Sequence, residues 1–194
     1  MRRPILLALA ITMTASPVLA EPMLAPAELL AATAGHWAGE LQYRDYETNQ
    51  WQGLPVKVAI VSQPDGVTTV RTAAFDDGPK TGTVWITTLV QVDPKAGRVA
   101  YAGARKGRAL DSGSAALVLA SPANDAQHWI LIETELRQDG GSMAQVRETT
   151  TRDGDSMITL KEVNPVDDSK DEWLPRNRTV LTRVRPEARS PSPR

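Results

Sequence analysis

Two short stretches carry charge where an alternating apolar pattern would be expected. HWILIETELR holds Glu133 and Glu135, and AQVRETT holds Arg147 and Glu148. Only Asp139-Gly140-Gly141 and its neighbours separate them, so the two segments should pair as a hairpin. Within the first, Trp129, Leu131, Glu133 and Glu135 alternate with Ile130, Ile132, Thr134 and Leu136. Within the second, Arg147 aligns with Met143 and Gln145, and Glu148 with Ala144 and Val146. A charge turned into a core is costly unless it is paired. Glu133 or Arg147 could face the interior, and an interior Arg–Glu pair would make an anchor for a ligand head group, with Trp85 and Trp129 as apolar lining. The alternative is an exterior cross-strand ion pair, which contributes little.

Other residue types offer less chemistry. His36 and His128 each precede a tryptophan, Trp37 and Trp129. On strands, neighbours point to opposite faces, so inward tryptophans imply outward histidines. Two separated histidines are too few for zinc, which wants three or four ligands. Ser62, Ser112 and Ser114 lack a Gly-x-Ser-x-Gly elbow, so no hydrolase triad is indicated. The acidic runs Asp76-Asp77-Gly78 and Asp167 to Glu172 do not have calcium-loop spacing. The pattern points away from an enzyme, and no cofactor is expected.

The elements that must position these residues are short and frequent. Turn signals recur at Glu47-Thr48-Asn49, Pro64-Asp65-Gly66, Asp76 to Pro79, Asp93 to Gly97, Lys106-Gly107, Pro122 to Asp125, Asp139 to Gly141, Asp153 to Asp155 and Asn164-Pro165. Segments rich in Val, Thr, Ile, Tyr and Trp lie between them, which is the pattern of an antiparallel all-β fold. About ten strands are predicted, near 37–46, 54–62, 67–75, 83–92, 98–104, 114–120, 128–137, 142–150, 156–163 and 176–185. Ten meandering strands in an open sheet leave two exposed edges, so an up-and-down β-barrel is favoured over a sandwich. Pro26 opens a predicted short helix or linker at 21–34, and the barrel domain is expected over 35–185.

The chain ends carry their own signals. MRRPILLALAITMTASPVLA reads as a signal peptide over 1–20, with a basic start and an apolar core too short to span a bilayer. The protein is therefore expected to be periplasmic or secreted, with no transmembrane segment. There is no cysteine, which excludes disulfides, thiolate metal sites and a lipidated export signal. Losing Arg2 and Arg3 would leave 20 basic residues against 23 acidic ones, with no dense basic run, so nucleic acid is an unsuitable partner. The tail at 186–194, rich in Pro, Ser and Arg, is expected to be disordered.

One combination resembles a known superfamily. Gly35-x-Trp37 opening the first strand, with Arg183 near the end of the last, resembles the calycins: lipocalins, fatty-acid-binding proteins and their relatives. The resemblance implies that the tryptophan lies across the closed end of the barrel, with the arginine packed over its indole; Arg178 and Arg185 are alternatives to Arg183. Trp37 is read as a packing residue on this basis. More closely, Gly35-His36-Trp37-Ala38-Gly39, Tyr43-Arg44-Asp45-Tyr46 and Arg147-Glu148-Thr149 resemble exported bacterial proteins related to the DUF1579-type families. Ten strands lean toward the fatty-acid-binding and nitrobindin-like branch. Haem-binding members of that branch use a histidine late in the barrel, and none follows His128 here.

These readings converge on a barrel that binds a small apolar or amphipathic molecule, such as a lipid or fatty-acyl chain, in its interior. The alternative is an envelope interaction module with a side-chain-filled barrel, working through exposed aromatics such as Trp51 and Tyr46. The sequence leaves the oligomeric state open.

Overall fold

The computed structural model describes residues 23–167 and 170–185. The proposed signal peptide, the tail at 186–194 and two residues of the acidic loop, Asp168 and Ser169, lie outside the described residues. A short helix, α1 (Pro26–Ala31), precedes ten strands: β1 (Gly35–Asp45), β2 (Gln50–Ser62), β3 (Thr68–Asp76), β4 (Thr83–Asp93), β5 (Arg98–Arg105), β6 (Asp111–Leu119), β7 (His128–Asp139), β8 (Ser142–Asp153), β9 (Ser156–Pro165) and β10 (Leu174–Val184). Each pairs antiparallel with its neighbour in sequence, and β1 pairs with β10 to close the barrel. Between β3 and β4 the turn forms one helical turn, α2 (Gly78–Thr81), which the sequence reading treats as a plain turn.

Closure follows from the sequence at β1. Gly39 faces Leu181 in the β1–β10 register, and a Cβ there would lie 1.9 Å from the Val180 carbonyl oxygen. No larger residue fits unless the two strands move apart. Alternation sends one face of each strand inward: Val56, Val58 and Ile60 on β2, Ala73 and Phe75 on β3, and Leu181 on β10 pack around Trp37. A second cluster joins Leu29 of α1 to Val92, Val99, Leu117, Trp129 and Leu131, so the helix plugs this end. Leu29 is fully buried, which contributes roughly 1.5–3 kcal/mol.

The hydrogen-bond ladder is uneven. β1 and β2 pair from Gly35↔Ile60 to Asp45↔Gln50. β6 and β7 pair only from Leu119↔Leu131 to Ala116↔Thr134, and toward the far end their register stops. The Gly140-Gly141 turn joins Asp139 to Ser142 and fixes the β7–β8 register, which sets Glu133 opposite Glu148 and Thr134 opposite Arg147.

Candidate functional site

The helix-plugged end is built on Trp37. Its indole is buried, and its Nε1 donates to the Thr33 carbonyl at 2.9 Å. The Arg152 and Arg183 guanidiniums each lie 4.5 Å from the indole centroid. Stacking of this kind contributes about 0.5–2 kcal/mol, more when the cation is desolvated. Arg183 also donates to the carbonyls of Ala34 (2.8 Å) and Ala32 (3.2 Å), tying the last strand to the exit of α1. Gly35 allows this: it holds φ +132°, and a Cβ there would meet Arg183 Nη1 at 2.7 Å. Burial, and then the nearby Arg183 charge, lower the pKa of Arg152, with Asp155 opposing both. The two other arginines considered for this position lie elsewhere. Arg178 stacks on Trp51 at 4.4 Å, and Arg185 pairs with Asp155.

Above this floor the barrel encloses a cavity of about 530 Å³. It runs from Leu30 and Thr33 beside α1 to Arg105, Arg108 and Asp111 at the opposite end. Ile60, Ile86, Trp129, Met157 and Leu181 supply apolar wall. At mid-height a polar band replaces it, made of Arg71 on β3, Tyr101 on β5, Glu133, Glu135 and Arg137 on β7, and Glu148 on β8. The Tyr101 hydroxyl donates to Glu135 at 2.9 Å, and Arg137 pairs with Glu135 at 3.1 Å and with Glu148 at 3.4 Å. Burial, then the bond to Glu135, push Tyr101 up to about 12. Arg137 is held above its ordinary value: burial works against its charge, and Glu135, Tyr101 and Glu148 outweigh it.

Two members of the band have no such partner. The Arg71 and Glu133 side chains make no hydrogen bond or ion pair among the described residues. Both are half-buried by surface area because they border the cavity, yet they sit deep among barrel atoms. Burial lowers the pKa of Arg71, and Glu148 partly restores it. Burial, then repulsion from Glu148 and Glu135, push Glu133 up to about 7, with Arg137 opposing. Nearer the open end, Asp139 pairs with Lys161 and Arg176. Burial alone would raise its pKa; the Lys161 hydrogen bond and the two cations hold it down.

The sequence-predicted set divides. Glu133 and Trp129 line the cavity, and Trp129 Nε1 donates to the Ala126 carbonyl at 3.0 Å. Arg147 does not line it. It lies on the outer face, 4.1 Å over the Trp173 ring and paired with Glu162 at 2.9 Å. The β7–β8 register makes Glu148 the inward residue opposite Glu133, so Arg147 must point outward. Trp85 is also corrected. It falls between the inward Val84 and Ile86 and is 60% exposed, so it cannot be lining. Both histidines are exposed, with His128 bonded to Asp125, and no metal-ligating cluster occurs among the described residues.

Sequence reasoning missed Arg71, Tyr101, Arg137 and Arg152. For two of them strand alternation carried a signal, faint for Arg71 and clearer for Arg137. Arg71 shares its period-two face with Ala73 and Phe75, and Arg137 continues the Trp129–Leu131–Glu133–Glu135 face.

Fold and cavity together define a class: closed ten-stranded antiparallel barrels with an internal cavity and a helix-plugged end. Among solved structures, the chain is similar to the crystal structure of Rv2717c from M. tuberculosis, with a TM-score of 0.56 and 16% identity, over 84% of this chain and 99% of that one. At that identity the likeness shows the fold alone. No family model matches the chain, and no curated protein matches it.

Proposed function

We propose that this barrel is an exported binding protein that holds a small apolar or amphipathic molecule in its interior. The observation that carries the reading is the 530 Å³ cavity into which Arg71 and Glu133 point without protein partners. Small-molecule sites are commonly this size, largely apolar, with a few placed polar groups. Polar side chains on a cavity wall without protein partners add little to a finished core and are useful in a site completed by a ligand. Trp129, Met157 and Leu181 would take the apolar body of the ligand, and the mid-barrel band its polar end.

The calycin-like reading belongs to the same proposal, supported by the Trp37–Arg183 stack beside the chain entering β1. Export rests on the basic start and short apolar core of the first twenty residues. Native mass spectrometry of the protein purified from its own cells tests both parts. The expected result is a mass lacking residues 1–20 and carrying a reproducible added species that is lost on denaturation. A bare mass, with no thermal shift across a lipid panel, would overturn the binding reading. It would turn attention to outer-face aromatics such as Trp85.

A further inference from the structure

The mid-barrel band is unbalanced in charge. Two guanidiniums, Arg71 and Arg137, face three carboxylates, Glu133, Glu135 and Glu148. Arg137 is committed to Glu135 and Glu148, and the Tyr101 hydroxyl also serves Glu135. Arg71 has Glu148 as its compensating charge. Glu133 is left over. Its register partner is Glu148 and its neighbour on the same face is Glu135, and their repulsion outweighs the opposing attraction of Arg137. The remaining cations are engaged or distant: Lys161 on β9 pairs with Asp139 on β7, and Arg105 and Arg108 stand with Asp111 at the open end. On β4 and β10 the cavity is lined at this stage by Thr88 and Thr179.

Resting on the reading of the cavity as a ligand site, we propose that the ligand is an organic cation, an apolar body bearing one protonated amine, whose ammonium is seated against Glu133. Such a group supplies the missing positive charge and donates hydrogen bonds to a carboxylate that has none. Its body lies against Ile60, Ile86, Trp129, Met157 and Leu181. An anionic head would meet three carboxylates, and its cation would be Arg71, whose charge Glu148 already partly offsets. In the empty barrel near neutral pH, Glu133 holds a proton part of the time, because burial and its carboxylate neighbours push it up to about 7. Binding the cation therefore releases that proton, and affinity falls with pH below about 7.

The test is calorimetric titration of the purified full chain with decylamine, decanol and decanoate at pH 8 and pH 6. Decylamine is expected to bind at pH 8 at least tenfold more tightly than the other two. It should weaken by about tenfold at pH 6, with heats that depend on the buffer as a proton is released. In Glu133→Gln, which imitates the neutral acid, the preference for amine over alcohol and the pH dependence should both disappear while decanol still binds. Decanoate binding best, or an amine preference that is independent of pH in the unmodified chain, would overturn the cation assignment and leave the cavity as a binding site. Failure of all three probes to bind the folded chain would overturn both.

Discussion

The helix-plugged end and the middle of the barrel each bring two arginines inward, with opposite results. At the plugged end, Arg152 and Arg183 enclose the Trp37 indole, and Arg183 is anchored on two backbone carbonyls. Arg152 Nε donates to the Gly154 carbonyl. At mid-height, Arg137 is held by Glu135 and Glu148, and Arg71 is held by nothing closer than a Coulombic attraction. At the plugged end the guanidiniums rest mainly on carbonyls and an aromatic face, with the Asp155 carboxylate 4.0 Å from Arg183 and Arg152 Nη1 left without a hydrogen-bond partner among the described residues. Carboxylates satisfy a guanidinium too, but a third one upsets the balance. The first arrangement stabilises a fold; the second leaves room for a ligand.

Breaking the plugged end should have the largest effect. Trp37→Ala removes a buried indole and is expected to lower stability by about 3–5 kcal/mol in urea denaturation. A loss under 1 kcal/mol would remove Trp37 as the keystone of that end. At mid-height the comparison is sharpened by pH. The Glu133 carboxyl moves from 4.5 to about 7 on folding, so between those values the unfolded chain has given up a proton that the folded chain keeps. Stability should fall as pH rises through that window, by on the order of 3 kcal/mol in total, and level off above it. Glu133→Gln should lose this component of the slope; a variant with the unmodified pH profile would place the titration elsewhere. Gly35→Ala should cost about 1–3 kcal/mol, since the new Cβ strains the backbone and displaces the Arg183 guanidinium. A Tm equal to that of the unmodified chain would show that the guanidinium yields freely. The smallest effect is expected outside the barrel: Arg147→Ala removes a surface stack and ion pair and should change stability by less than about 1 kcal/mol, with ligand binding untouched.

The fold was legible because its signals are local. Turn residues recur between alternating segments, and ten such segments leave closure as the way to avoid bare edges. The helix at Pro26 was legible for the same reason. The site was legible only in part. Glu133 and Trp129 could be read from one strand's alternation. Placing Arg147 required knowing which face of β8 turns inward, and the two-residue Gly140-Gly141 turn carries that information through the register it imposes. Trp85 misleads through its size: a large aromatic suggests core, but its neighbours Val84 and Ile86 already occupy the inward face. Arg71 was hidden because the apolar residue beside it on its face, Ala73, is small and gives a faint alternation. Its role arises from residues far along the chain on β7 and β8, which no local pattern can show.

The short β6–β7 pairing gives the ring a weak seam. With its ladder confined to residues from Ala116↔Thr134 to Leu119↔Leu131, this joint has the fewest paired positions of any in the barrel. A closed ring under thermal or mechanical load parts where the fewest bonds resist, and local opening draws on the least protected segments first. The rim of that seam on the β7 side carries Glu135 and Arg137, and the Tyr101 hydroxyl reaches Glu135 from β5, beyond β6. This side-chain bridge spans a gap that the backbone does not, so the joint most prone to breathe is fastened by the same polar residues that border the cavity.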